Sequence, residues 1–372
     1  MRAAWTGGRW RTSRHSGCAA IDNEGTRSRM RAASPSSGAM QRSPQVEPFL
    51  RGCVWPPAPG VPYPRCDPGP AGQRLPADTR AAAALPVGVR LEFAGEAEAI
   101  EIAYRTETDD FGFRGAGAGT DFMLFRGERL VAEARAALGA GSVRLAVGHG
   151  PARAIVYLPE GMRPTLLGLR ALGGEITPAP REPRWLCYGD SIAEGWKASG
   201  PAWAWPALVG RRHALDVVNL GYAGAARGEI VSAEEIAALR ADVITVAHGT
   251  NCWTRTPHAE AQFAEGLRAF LAIVREGHPR TPIVAVSPIL RLDAEEKPNR
   301  LGATLADLRR GFERVVHERI ASGDERLVLV PGRALVPAAQ LADGIHPDDA
   351  GHALLARAIG PLLCAQLAAA SR

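Results

Sequence analysis

The 372-residue chain has little of what marks a metal, redox, membrane or nucleic-acid protein. Its six cysteines stand apart, at positions 18, 53, 66, 187, 252 and 364. No CxxC pair and no CxxC…HxxxH spacing occurs, so no metal site is expected. Cys187 lies in an apolar run and reads as a small core residue, while Cys53 and Cys66 could pair only in an oxidising compartment. No apolar run approaches the roughly 20 residues that cross a bilayer, so no membrane partner is expected. The amino terminus lacks a continuous apolar stretch of the secretory kind, and the expected location is the cytoplasm.

A basic stripe is also missing. The formal charge is +5, but residues 1–45 hold eight arginines against Asp22 and Glu24, a surplus of +6, which leaves the rest at about −1. The excess belongs to the tail, and no nucleic-acid partner is expected. That tail is rich in Arg, Ser, Gly and Ala without apolar periodicity, and is expected to be disordered.

Beyond the tail, two rhythms follow one another. Residues 46–178 carry short runs of period two, such as "VRLEFAG" (89–95), "AIEIAYRT" (99–106), "DFMLFRG" (121–127), "SVRLAVG" (142–148), "AIVYLPEG" (154–161) and "TLLGLRALGG" (165–174). Alternation without intervening helices predicts an antiparallel β-sandwich, jelly-roll-like in kind. "ITPAPREPR" (176–184) holds three prolines and reads as a linker. From 179 to 372 the runs are apolar on both faces and alternate with helical patterns: "WLCYG" (185–189), "LDVVNLG" (215–221), "DVITVAHG" (242–249), "PIVAVSPIL" (282–290) and "RLVLVPG" (326–332). This predicts a three-layer α/β domain around a parallel sheet, which binds ligands at the carboxyl ends of its strands.

Those ends carry polar groups that an apolar core does not need. They are Gly189-Asp190-Ser191, Asn219 to Gly224, His248 to Asn251, and Asp343-Gly344-Ile345-His346. Singly, Ser191 would be a helix cap, Gly224 a turn glycine, Asn251 a loop amide and Asp343/His346 a solvated pair. Together they supply complementary chemistry. A serine hydroxyl needs a base to take its proton, and histidine suits that task. An aspartate three residues earlier can orient the ring and stabilise the imidazolium. The amides of Ser191 and Gly224 and the side chain of Asn251 can donate to an oxyanion. No cofactor is called for.

In this order the blocks resemble the SGNH (GDSL-type) hydrolases: "YGDSIAEGW", "VVNLGYAGAARG", "AHGTN" and "DGIHPDDAGH". The resemblance covers about 183–370. It implies Ser191 as nucleophile, Gly224 and Asn251 as oxyanion donors with the Ser191 amide, and Asp343 and His346 as the remaining triad members. The family often has aspartate after the G-x-N asparagine, where this chain has Cys252. The G-x-S-x-G motif of the α/β-hydrolase elbow is absent. A sandwich ahead of such a domain is similar in layout to carbohydrate esterase family 2 and to related acyl esterases and acyltransferases. It implies a serine esterase acting on a short-chain ester, such as an acetyl ester, of a carbohydrate or polyhydroxylated small molecule, with a small-molecule or glycan ester as partner. An acyltransferase with the same triad and an inactive carbohydrate-binding protein are the alternatives. Some carbohydrate esterases of that kind lack the triad aspartate, whereas Asp343 is present here.

Trp253 and Trp196 are candidates for substrate binding, because indole faces stack on sugar rings. Trp203 and Trp205 read as core. His248 and His352 read as structural, Asp190 as a brace for the Ser191 loop, and Asp109, Asp110 and Asp121 as solvated loop residues rather than metal ligands.

Overall fold

A computed structural model describes residues 43–109 and 119–370, which belong to one compact unit. The tail up to residue 42 and Asp110 lie outside the described residues. In chain order the first half comprises β1 (Leu50–Arg51), α1 (Ala77–Ala83), β2 (Arg90–Gly95), β3 (Ala99–Thr106), β4 (Asp121–Arg126), β5 (Arg129–Arg135), β6 (Gly139–Ala146), β7 (Ala154–Tyr157), β8 (Thr165–Leu172) and β9 (Ile176–Pro178). Two antiparallel sheets face each other: β1-β2-β7-β4-β5, with β9 also on β2, and β6-β3-β8. Their inner faces meet in one core, in which Leu91, Phe93, Phe122 and Leu124 of the larger sheet join Ile100, Ile102 and Val143 of the smaller. The β-sandwich expected from the alternation is present.

The second half comprises β10 (Arg184–Gly189), α2 (Ser191–Glu194), α3 (Trp205–Arg212), β11 (Asp216–Gly221), α4 (Ile230–Ala238), β12 (Val243–Ala247), α5 (Asn251–Thr254), α6 (Glu260–Gly277), β13 (Ile283–Val286), α7 (Leu305–Ala321), β14 (Leu327–Val330) and α8 (Asp349–Ala370). The strands form a parallel sheet in the order β11-β10-β12-β13-β14. Each strand is apolar on both faces because each face is covered: Trp185 and Cys187 point to the α3/α8 core, Leu186 and Tyr188 to the α4/α6/α7 core. From β10 the chain steps one way to β11 and then the other way to β12. The carboxyl end of β10, where Ser191 stands, is therefore the switch point at which such sheets open a crevice.

Three features differ from the sequence reading. Cys66, Leu75, Ala82 and Ala83 fall within the span read as β-sandwich, yet they pack in the α/β core. The proline-rich run at 176–184 is not wholly a linker, since β9 pairs with β2 along Phe93–Gly95. Finally, α8 is 22 residues long with a mean hydropathy of 1.6 over its most apolar window, which is long and apolar enough to cross a membrane by length and composition. The expectation of no such run overlooked it because His352 and Arg357 interrupt the pattern. In the fold, His352, Leu355, Ile359 and Leu363 of this helix are buried, and its apolar side packs against the sheet core. Cys53 and Cys66 are not joined in a disulfide.

Candidate active site

Ser191 opens α2, a single helical turn directly after β10. The turn requires glycine at 189: a Cβ there would stand 2.5 Å from the Ala247 carbonyl oxygen and 2.6 Å from Ala193 Cβ. Asp190 caps the turn, its Oδ1 accepting from the Ile192 amide at 3.0 Å. Burial pushes the Asp190 carboxyl up to about 6, against the pull of the Ile192 and Thr250 amides. It braces the loop and points its oxygens at backbone.

Asp343 and His346 lie between β14 and α8, and their loop is organised by the Asp343 carboxylate. Oδ1 accepts from the amides of Ile345 at 3.1 Å and His346 at 2.8 Å. Oδ2 lies 2.9 Å from His346 Nδ1, and His346 Nε2 lies 2.8 Å from Ser191 Oγ. An ionised carboxylate only accepts, so Nδ1 carries the proton and Nε2 is left to accept from the serine hydroxyl. Burial lowers the His346 pKa, Asp343 opposes that, and the charges of Arg291 and Lys197 reinforce it; the net shift is downward. The ring is thus neutral near pH 7, as a base must be. For Asp343, burial alone would raise the pKa, but the amide and ring of His346 outweigh it and hold the carboxyl below its ordinary value.

Gly224 sits in the loop after β11 with φ +68°, a left-handed backbone that glycine adopts without strain. Neither its amide nor that of Ser191 has an acceptor among the described residues. Asn251 is buried at the start of α5, and its Nδ2 donates to the Ala226 carbonyl at 3.1 Å, which leaves its second N–H available. Behind it, Cys252 Sγ donates to the Arg227 carbonyl at 3.7 Å, a weak tie between the same two loops. Burial pushes that thiol far above its ordinary pKa, so it stays protonated. The arrangement can carry a proton from Ser191 to His346 and offer three N–H groups to an oxygen.

The tryptophans divide. The Trp196 ring lies over His346, with centroids 5.1 Å apart and planes tilted by 35°. Trp253 meets Arg291 instead, whose guanidinium sits 4.9 Å from its ring centroid, and its Nε1 donates to the Lys297 carbonyl. Trp205 packs on Trp185 in the core, and Trp203 meets Phe125 of the sandwich edge-on. His352 is buried between the Trp205 amide and the Trp196 carbonyl, and so supports the backbone under Trp196. His248 is buried among Phe263, Phe270, Phe312 and Tyr188, with Nδ1 unpartnered. Asp109 is exposed and Asp121 half-buried. Among the described residues no group of His, Cys, Asp and Glu is arranged to hold a metal ion.

Several supporting roles, beyond the placing of Asn219 at a polar strand end, emerge from the fold. Asn219 Nδ2 donates to the Ala193 carbonyl while its Oδ1 accepts from the Gly221 amide, both at 2.8 Å, tying α2 to the end of β11. Glu194 accepts from the Ala223 amide at 2.8 Å and from Trp196 Nε1 at 3.1 Å, and lies 3.7 Å from Arg65. Arg65 comes from the first half of the chain and is fully buried; its Nη1 donates to the carbonyls of Asn219 at 3.1 Å and Gly221 at 2.6 Å. Arg90 donates to the Val217 carbonyl at 2.9 Å. β11 is the edge of the parallel sheet, and these two arginines satisfy three alternate carbonyls that no strand pairs. A further loop contributes: the Leu292 amide donates to the Gly344 carbonyl at 2.9 Å and holds the His346 loop from the β13 side.

Residues 187–354 match the GDSL-like Lipase/Acylhydrolase family. No curated protein matches the sequence. Solved structures share the fold. A salicylyl-acyltransferase from a tetracycline biosynthetic pathway is similar with TM-score 0.73 and 23% identity, over 91% of this chain and 99% of that one. A family two carbohydrate esterase from Clostridium thermocellum, in complex with cellohexaose, gives TM-score 0.56 and 16% identity over 75% and 92%. An acetyl xylan esterase from the rumen bacterium Butyrivibrio proteoclasticus gives 0.52 and 15% over 76% and 90%. At these identities the likeness is one of fold, and it extends to the layout of a sandwich ahead of an SGNH-type domain.

Proposed function

Taking a chain that carries a domain of the GDSL-like lipase/acylhydrolase family, we propose that it is a serine esterase that removes a short acyl group from a carbohydrate or polyhydroxylated small molecule. The observation that carries this reading is the relay Ser191 Oγ–His346 Nε2–Asp343, at 2.8 and 2.9 Å, beside the free amides of Ser191 and Gly224. Ser191 Oγ attacks the ester carbonyl carbon as its proton passes to His346 Nε2. The carbonyl oxygen takes the negative charge and is held by the Ser191 and Gly224 amides and Asn251 Nδ2. His346 then protonates the departing alcohol, leaving an acyl-serine. Water, activated by the same ring, attacks the acyl carbon, and the proton returns to Ser191. Asp343 keeps Nδ1–H in place throughout. The Trp196 ring covers one side of His346 and limits its hydration.

Transfer to an alcohol acceptor is the second reading, favoured by a fold shared along nearly the whole chain with an acyltransferase. It uses the same acyl-serine and differs only in what attacks it. Hydrolysis of 4-nitrophenyl acetate, butyrate and octanoate tests the common step. Ser191→Ala is expected to abolish turnover, and Asp343→Asn to lower kcat by about 10⁴-fold, because the wrong tautomer is then stabilised. Unchanged hydrolysis by folded Ser191→Ala sinks the mechanism. Adding a sugar alcohol and measuring the acylated product separates the two readings.

A further inference from the structure

Lys197 and Arg291 stand near His346 and Arg255 beside Gly224, and ester hydrolysis as described uses none of these three cations. Lys197 follows Trp196, whose ring covers His346; it is exposed, and its φ of +64° is one that a residue with a side chain rarely adopts. Arg291 is buried, chelated by Asp293 at 2.7 and 3.1 Å, and lies over Trp253. Lys197 and Arg291 are both close enough to His346 for their charges to bear on it. Arg255 follows α5 and reaches across to the opposite loop. Its guanidinium stands 3.5–3.7 Å from the point that a Cβ on Gly224 would occupy.

The neighbouring carboxylates are engaged. Asp343 is bound to His346, Asp293 to Arg291, and Glu194 to Ala223, Trp196 and Arg65. Among the described residues, the side chains of Lys197 and Arg255 form no hydrogen bond or ion pair. The surplus is local, since the chain beyond the basic tail is close to neutral. It is also a burden on the chemistry of a neutral ester. His346 must become an imidazolium in the transition state, and a fixed positive charge beside it opposes that. A negative group on the substrate would neutralise the cations and restore the base. A planar guanidinium beside the oxyanion loop is suited to hold a carboxylate through two N–H groups.

We propose that the substrate carries an anionic group, a carboxylate in its simplest form, that Arg255 and Lys197 bind at the mouth of the Ser191 site. Those two residues thereby set specificity for anionic esters. The inference rests on the serine esterase reading and deepens it by naming a substrate class.

The test compares matched ester pairs, each rate divided by that of hydroxide. Mono-4-nitrophenyl succinate against 4-nitrophenyl valerate places the charge on the acyl half. 3-Acetoxybenzoate against 3-acetoxybenzamide places it on the alcohol half. The full-length protein is expected to favour the anionic member of at least one pair by about tenfold or more in kcat/KM. The preference should weaken as salt rises from about 0.02 M to about 0.5 M, as screening shortens the reach of the charges. Arg255→Gln and Lys197→Gln should each bring the ratio toward one, while Arg310→Gln, a cation on the exposed side of α7, leaves it in place. A ratio near one in both pairs, or a ratio that survives both substitutions, overturns the proposal while leaving the esterase reading intact. So does an equal loss on both members of a pair in Arg255→Gln, which would make that residue an oxyanion donor instead. Absence of Ser191-dependent turnover on all four esters removes the esterase reading and this inference with it.

Discussion

The indole of Trp196 lies over the imidazole of His346, with ring centroids 5.1 Å apart. An aromatic face favours a cation, which would raise the His346 pKa, yet the shift is downward and burial is its largest cause. Exclusion of water is therefore the largest single influence on this base. Trp196→Ala should hydrate the imidazole and raise its pKa toward 6.5. Because the neutral form is the active base, the acid limb of kcat/KM should then move to higher pH. Lys197→Gln should move it the same way by removing a positive neighbour, and Asp343→Asn the opposite way. pH profiles on one neutral ester check all three, and an unmoved limb in Trp196→Ala would refute the argument.

Arg65 and Glu194 form a buried pair beneath the loop that carries Gly224. Removing one partner of such a pair leaves an uncompensated charge and costs about 3–5 kcal/mol. Arg65→Met also strips the donors from the Asn219 and Gly221 carbonyls, so a large loss of stability in urea is expected. Glu194→Gln keeps an acceptor for the Ala223 amide and should cost less. The double variant should lose less than the two single losses added, since no lone charge remains. Strict additivity would show that the two do not act as a pair.

His248 is neutral and fully enclosed, and burial takes its pKa from 6.5 to about 3. The unfolded chain binds this proton below pH 6.5 and the folded chain does not. Folding stability from this site is therefore complete above pH 6.5 and is lost as pH falls toward 3, at about 1.4 kcal/mol per pH unit. Asp190, raised to about 6, and Glu235, raised to about 7, act in the opposite sense over part of that range. Comparison with His248→Leu isolates the histidine. At pH 5 the variant should be spared about 2 kcal/mol of the acid destabilisation suffered by the parent. Equal losses in thermal melts at pH 7.5 and pH 5 would contradict this.

Much of the architecture was legible because it rests on local pattern. Leu186 and Cys187 are both apolar since helices cover both faces of β10, and "GDS" and "DGIH" are short enough to read directly. β5 escaped notice because it is a largely exposed edge, where Arg129, Glu133 and Arg135 replace an apolar alternation. β9 was hidden by prolines, although Pro178 is tolerable on a strand that pairs on one side only. Arg65, Arg90 and Arg255 could not be singled out at all. Each is one arginine among many, and its importance depends on which carbonyl or loop the tertiary fold brings near it. Asn219 carried a signal, as a polar residue in the apolar run "VVNLG", and its bridge between Ala193 and Gly221 accounts for it.

The arginines on β11 also bear on how freely the two halves could be separated. An α/β sheet cut out at residue 183 would keep its nucleophile and base, but the outer rim of β11 would be left with the bare carbonyls of Val217, Asn219 and Gly221. An uncovered strand of that kind is a template for pairing with a neighbouring molecule. In the intact chain Arg65 and Arg90 cover that rim. Engineering that seeks a smaller catalyst would have to retain residues 65–90 or supply the β11 rim with a new cover.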